Sequence, residues 1–411
     1  MAKKKVVVIG HGYTSRLAVI RSVAQIGCEI TVIVVLEKHR LNNKNIKKKP
    51  IDCYSKYVNR YLFYEEGDDD SLVKLLLSEC VDPLQKVVLF PDSDFSASVI
   101  DRNQNQLKEH FLFPHVQYTQ GAIVEWMNKT RQKILAEKNG LKTASSSVVI
   151  ISNHEYQLPQ GIKYPCFVKP LVSIIGGKRV LRRCNNEEEL RECLNFAADI
   201  SDMDVLIEDY KVIDDEYAIL GFSDGTEVII PGVIKILELS HGGHFGVASK
   251  GMIMPIAGFE DLVKKFTDLV RQIGFVGVFD IDFFHSDGDF YFGELNLRIG
   301  GSCYSLTKMG VNLPGMMVKN LCGETIDGMK KEIHSAATFV NERMLLDDWN
   351  SRYISTNKFN DIIKTADISF VKDKNDKLPF RYFYREYLIK KMKRFFPVSL
   401  RRYIKKTIKR V

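Results

Sequence analysis

The chain opens on an unbroken apolar run, Val6-Val7-Val8-Ile9, that meets Gly10-His11-Gly12 directly. A run of strand length with no polar alternation predicts a strand buried on both faces, and the glycines predict a tight turn after it. From Ser15 to Ile26 the apolar positions Leu17, Val19, Ile20, Val23 and Ile26 recur at helical spacing, and Gly27 stands where a C-cap belongs. Glu29 to Val35 predicts a second buried strand. Strand, glycine turn, helix and strand within about 30 residues is a βαβ unit and implies a parallel, doubly wound sheet. A helix over Ser71–Cys80 and a strand over Lys86–Phe90 extend it. That strand ends in Pro91-Asp92-Ser93-Asp94, at the carboxyl edge where such sheets bind ligands.

Beyond Gln120 the pattern changes. Val124–Gly140 reads as one amphipathic helix, and strands follow over Tyr164–Pro170, Lys178–Arg183 and Val205–Glu208. Asn186 before Glu187-Glu188-Glu189 reads as a helix N-cap with acids on the positive end of the dipole. A helix over Glu260–Ile273 precedes a hairpin whose strands, Gly277–Phe284 and Phe290–Leu297, flank His285-Ser286-Asp287-Gly288-Asp289. Asp-Gly between alternating apolar strands is a strong hairpin signal.

Composition adds limits. The 411 residues, 45% hydrophobic and 27% charged, are ordinary globular usage and enough for two or three domains. No run reaches the roughly 18 apolar residues of a membrane span, and the apolar stretch after Lys3-Lys4-Lys5 is too short for a secretory signal. Eight cysteines without a C-x-x-C pair point to a reducing, cytoplasmic setting. The net charge of +8 is local: residues 381–411 carry twelve Lys/Arg against one acid, Glu386, a net +11, so the preceding 380 residues sum to −3. A basic segment without a recognition fold does not make a nucleic-acid binder.

The hairpin concentrates the chemistry. Asp280 and Asp282 alternate with Phe279, Ile281 and Phe283; Glu294, Asn296 and Arg298 alternate with Leu295, Leu297 and Ile299. Residues two apart on a strand share a face. Carboxylates and an amide oxygen on one face form an all-oxygen site suited to magnesium with substrate phosphates. Arg298 and the exposed backbone of Gly300-Gly301-Ser302 are placed for an anion. Upstream, Lys169 ends an apolar strand and Lys129 begins a helix; a lysine in an apolar strand is unusual unless paired or used.

These residues in this order resemble the ATP-grasp superfamily, over roughly residues 1–330. Asn128-Lys129 and Tyr164-Pro165-x-x-Val168-Lys169-Pro170 are similar to its phosphate-binding lysines, Glu208-Asp209-Tyr210 with Glu216 to its adenine hinge and ribose acid, and Asp282, Glu294, Asn296 and Arg298 to its metal and phosphate set. The phosphate-covering loop would be Ser173–Lys178, with Gly176 and Gly177, poorer in glycine than in many members. The opening segment looks most like carboxylate–amine ligases of the D-aspartate ligase and carbamoyl-phosphate synthase group, and less like D-alanine–D-alanine ligase or biotin carboxylase. The resemblance implies a mixed α/β and α+β chain: a Rossmann-like domain (1–118), a two-subdomain ATP-grasp domain (119–330), an extension (331–380) and a basic, amphipathic helical tail (381–411). It implies ATP bound by Lys129, Lys169, Gly176, Gly177, Glu208, Asp209, Tyr210 and Glu216. It implies magnesium, or manganese, on Asp282, Glu294 and Asn296, with Arg298, Gly300 and Gly301 acting on the reacting carbonyl. The implied reaction joins a carboxylate to an amine through an acylphosphate, releasing ADP and phosphate. Carboxyl or carbamoyl phosphate formation, and a non-catalytic nucleotide-binding or membrane scaffold, stay open as alternatives.

Other signals are weaker. The turn Gly10-His11-Gly12 lacks the third glycine of a dinucleotide fingerprint, and only Glu37 offers an acid after the second strand, so it reads as the rim of a substrate pocket. His241-Gly242-Gly243-His244 lacks a third zinc ligand and reads as a loop near the substrates. In the tail, Tyr382, Phe383, Tyr384, Tyr387, Phe395, Phe396 and Tyr403 interleave with cations, which suits either an anionic membrane at the inner face or a segment docked on the body. The expected partners are small carboxylate and amine substrates, an envelope or glycan precursor among them, that membrane surface, no nucleic acid, and a second copy of the chain.

Overall fold

The computed structural model describes residues 3–36, 48–172, 180–241 and 247–395. Glu37, the loop with Gly176 and Gly177, residues 242–246 with His244, and the tail beyond 395 lie outside them.

The first sheet is parallel. Its strands β1 (Lys5–Gly10), β2 (Glu29–Leu36), β3 (Val58–Glu65), β4 (Val87–Pro91) and β5 (Phe111–Leu112) lie in the order β3-β2-β1-β4-β5. Val6 to Ile9 and Val87 to Phe90 are wholly buried, as central strands covered on both faces require. The order reverses at β1 and β4, so the switch-point crevice lies where Gly10 and Asp92 end those strands. A side chain at Gly10 would overlap the Asp92 carboxylate, its Cβ lying 1.2 Å from Oδ1, so only glycine fits. Burial raises the Asp92 carboxyl to about 6, against the pull of Arg16 and the Ser15 hydroxyl.

A short strand, β6 (His115–Val116), leaves this sheet for the start of a long hairpin strand. The second sheet is antiparallel: β7 (Ser146–Val149), β8 (Cys166–Pro170), β9 (Arg182–Cys184) and β10 (Val205–Asp209), in the order β7-β10-β8-β9. One helix, Glu187–Ser201, packs on it, capped by the Asn186 side chain as expected. The third sheet holds β11 (Asp215–Asp224), β12 (Val228–Ile229), β13 (Val233–Leu239), β14 (Ala248–Met254), β15 (Phe275–Ser286), β16 (Asp289–Asn296), β17 (Ala337–Val340) and β18 (Ile368–Ser369), along the path β16-β15-β11-β13-β14-β17-β18. The chain is therefore mixed α/β, with a doubly wound parallel sheet followed by an antiparallel and a largely antiparallel sheet.

One expectation is corrected, and two C-terminal stretches take definite places. Val124–Gly140 is not one helix: Ala122–Trp126 ends, Asn128 turns extended, and a new helix runs over Lys129–Lys138. The break has two causes: the Asn128 side chain caps the new helix at Arg131 N (3.1 Å), and Lys129 N–H donates to Leu171 O (3.0 Å). In the segment 331–380, expected as an extension, β17 pairs with β14 and β18 with β17, continuing the third sheet. The described part of the basic tail is docked on the body, one of the two readings left open above. The helix Lys377–Phe395 crosses the expected boundary at 380, and its Phe383 and Tyr387 are buried with Trp349 and Phe359. Tyr382 stacks on Tyr54 at 3.5 Å, and Lys390 pairs with Asp347 at 3.0 Å. Those aromatics contact protein. Among the described residues no helix is long and apolar enough to cross a membrane.

Candidate active site

The hairpin strands pair so that Asp280 lies opposite Asn296 and Asp282 opposite Glu294, which puts all four on one face. The opposite face is core, with Phe279, Ile281, Phe283, Leu295 and Leu297 buried. The pairing slips by one residue between Asp282 and Phe283, where Gly293 is the extra residue. This bulge lets Phe290 and Phe292 face the core before it and Glu294 and Asn296 face the site after it. The turn is Asp287-Gly288, both at positive φ (52° and 80°), as an Asp-Gly hairpin requires.

The helix Lys129–Lys138 supplies cations to the second and third sheets. Lys129, 4% exposed, holds Glu294 of the third sheet at 3.0 Å. One turn on, Lys133 reaches one oxygen of Glu208 at 2.8 Å, and Lys169 holds the other at 2.9 Å. Between them Gln132 donates to Leu295 O (2.7 Å) and accepts from Leu295 N–H (2.9 Å), which locks the helix to β16. Burial alone would raise the Glu208 carboxyl, but Lys169 and Lys133 outweigh it and hold it below its ordinary value. Burial pulls the Lys133 ammonium below its ordinary value despite Glu208.

Arg298 closes the site toward the first domain. Its Nε donates to Asp94 Oδ1 at 2.9 Å, Nη2 to Asn296 Oδ1 at 3.1 Å and Nη1 to Ile299 O at 3.1 Å, with Asp280 Oδ2 at 3.7 Å. Burial opposes the charge, and Asp94 and Asp280 more than offset it, so the guanidinium titrates above its ordinary value. Gly300 sits against Asp280: an added Cβ would lie 2.5 Å from Oδ2. Gly301 borders, with Arg298, Asp280 and Asp282, a small cavity of about 140 Å³. A larger hollow, about 820 Å³, lies beyond the lysine helix among Val124, Ile134, Leu171 and Val172 and holds none of these acids.

Of the expected hinge, Glu208 is drawn into the lysine cluster, while Asp209 and Tyr210 make contacts of their own. Asp209 N–H donates to Ser145 O (2.9 Å) and Tyr210 N–H to Pro165 O (3.3 Å), so both amides are committed. The Tyr210 ring carries Arg183 at 4.4 Å. Glu216 lies on the site face of β11, opposite Phe284, and burial raises its carboxyl. Sequence reasoning missed Lys133 and Gln132, gave Asp94 no role and left Asp280 out of the ligand set. Among the described residues no three His, Cys, Asp or Glu side chains are spaced to hold a metal by themselves. The donors fit an ion that takes one or two carboxylates and completes its shell with phosphate oxygens and water.

A parallel sheet followed by an antiparallel and a largely antiparallel sheet, with one helix whose lysines pair with acids of both, is an architecture of the ATP-grasp type. Comparison with known proteins agrees. The chain is 24% identical over 203 residues to the carbamoyl phosphate synthase large chain of Gemmatimonas aurantiaca, covering 48% of this chain and 18% of that one. It is similar in structure to the biotin carboxylase domain of 2-oxoglutarate carboxylase from Hydrogenobacter thermophilus, solved with MgADP, ADP and bicarbonate (TM-score 0.61, 18% identity, 82% and 74% of the two chains). It is also similar to the L-amino acid ligase of Bacillus licheniformis (TM-score 0.59, 17% identity, 82% and 79%). No protein-family model matches the chain. The likeness to a biotin carboxylase, which the sequence set further off, is one of fold.

Proposed function

We propose that the chain is an ATP-dependent carboxylate–amine ligase. The observation that carries this reading is the single hairpin face bearing Asp280, Asp282, Glu294 and Asn296, met by Lys129 from one side and Arg298 from the other. Lys129 and Lys169 bind the phosphates, Glu216 the ribose hydroxyls, and the carbonyls of the Asp209-Tyr210 hinge the adenine edge. Gly176 and Gly177 belong to the loop proposed to cover the phosphates. Asp282, Glu294 and Asn296 hold magnesium or manganese, which when bound neutralises charge on the phosphates.

A substrate carboxylate oxygen attacks the γ-phosphorus, the bond to the β-bridging oxygen breaks, and ADP leaves with that electron pair. The amine nitrogen then attacks the acyl carbon of the acylphosphate. The carbon–oxygen bond to phosphate breaks and the nitrogen gives up a proton. Arg298 and the backbone at Gly300-Gly301 stabilise the oxyanion between those events. A second copy of the chain is a proposed partner; the similar biotin carboxylase domain is a dimer.

Oxygen-18 in the substrate carboxylate is expected in the released phosphate; turnover without that transfer excludes the acylphosphate. Glu294→Gln is expected to cut ADP release by roughly 100-fold or more while the thermal unfolding transition is kept. Unchanged ADP release would remove Glu294 from the site. A second reading, in which bicarbonate is the carboxylate, is favoured by the likeness to the biotin carboxylase domain solved with bicarbonate and is separated by which acid gives turnover.

A further inference from the structure

We propose that the carboxylate activated here belongs to a small molecule of about six non-hydrogen atoms with a short, uncharged, aliphatic tail. The inference rests on the ligase reading and specifies its substrate. It comes from the cavity of about 140 Å³ beside the hairpin.

The cavity has two unlike sides. Asp280, Asp282, Arg298 and Gly301 line the reacting side. Of the five guanidinium N–H donors of Arg298, three are in the bonds described above, which leaves two for a carboxylate. The facing wall is mostly aliphatic: Leu220 from β11, Ile236 from β13, and Val247 and Ala248 at β14, with Ala218 beside the acids and the uncharged polar Asn341 and Ser302 at its margins. The sheet register makes the change abrupt, since Ala218 lies directly opposite Asp282 and Leu220 opposite Asp280. The wall therefore begins one side chain away from the charges.

Three properties of a ligand follow. The volume is well under the 300–1,000 Å³ of common ligand sites and near the roughly 150 Å³ that holds one benzene-sized molecule. A second charge on the ligand would be desolvated against Leu220 and Ala248, both under one-tenth exposed, where among the described residues no ionised side chain of the wall could pair it. A carboxylate without any tail, such as bicarbonate, would leave that wall against water. A short aliphatic acid, with or without an α-amino group held by Asp280, satisfies all three.

The test needs no knowledge of the natural amine. The full chain is given MgATP, hydroxylamine as surrogate nucleophile and single carboxylates, and hydroxamate and ADP are measured. Propionate, butyrate or alanine are expected to exceed succinate, aspartate, benzoate and bicarbonate by about 100-fold in kcat/KM. Ala248→Leu, which fills the cavity, is expected to raise KM for the preferred acid roughly tenfold or more and to leave KM for ATP unchanged. Ile236→Ala, at a half-buried position that folding tolerates, is expected to move the preference to tails one or two methylenes longer. Preference for a dicarboxylate, an aromatic acid or bicarbonate, or indifference to both substitutions, overturns the inference and leaves the ligase reading standing. Hydroxamate from none of the acids overturns the ligase reading and the inference with it.

Discussion

Glu208 divides its two oxygens between Lys133 and Lys169, and only Lys169 is proposed to touch nucleotide. Lys133 is then a positioning residue, acting by holding the carboxylate that aims Lys169. Lys133→Met leaves Lys169 to neutralise Glu208 alone, so their pair tightens. ATP binding is expected to weaken by about 1 kcal/mol, read by calorimetry, with Lys133→Arg restoring part of it. Equal affinity in Lys133→Met and the parent would reduce Lys133 to packing. Asp92 makes a pH prediction. Its carboxyl is raised from 3.8 to about 6, so the folded chain holds the proton more tightly than the unfolded one. The stability from that proton is complete below the unfolded value and is lost as pH rises through 6. Asp92→Asn, neutral throughout, should therefore gain on the parent between pH 4 and 7.5 by roughly 2–3 kcal/mol. Melting curves at both ends of that range decide it; a constant difference would place the titration elsewhere.

At the scale of elements, what was legible followed from local chemistry. The Asp-Gly turn and two-residue alternation gave the hairpin and the polar face of each of its strands from sequence alone, and Asn186 announced its helix. What escaped depends on distant partners. Lys133 looks like a solvated helix residue until Glu208, 75 positions away, meets it, and Gln132 finds Leu295 across 163 positions. The C-terminal strands were unread because β17 is short and gains its place only by pairing with β14. The bulge was in principle readable: Phe290 and Phe292 are apolar on even numbers, Leu295 and Leu297 on odd, and the change of parity falls on Gly293. Deleting Gly293 should force either Glu294 and Asn296 or the two phenylalanines onto the wrong face. Loss of cooperative unfolding or of soluble protein is expected, with no nucleotide binding in any folded remainder; a deletion variant that folds and turns over would show that the bulge is ornamental.

For the whole molecule, the helix Lys377–Phe395 matters through what it covers. It shields Trp349, which is fully buried, and ties to Asp347 and Arg343. A chain ending at Leu378 should lose several kcal/mol, about the cost of stripping two or three large core side chains, and unfold or precipitate. One ending at Phe395 should melt like the parent. Comparing that chain with the full one on anionic vesicles at low and high salt then assigns any membrane affinity to residues beyond 395; equal sedimentation of the two would deny the tail that role. The bridging lysines carry a different consequence. A site whose cations already grip carboxylates does not dehydrate bare charges when a triphosphate arrives; it trades one anion for another, as an ion-exchange resin does. The net gain is the difference between two ion pairs, so affinity should be modest, nearly flat against sodium chloride, and steep against whichever divalent ion takes over the carboxylates that the lysines release.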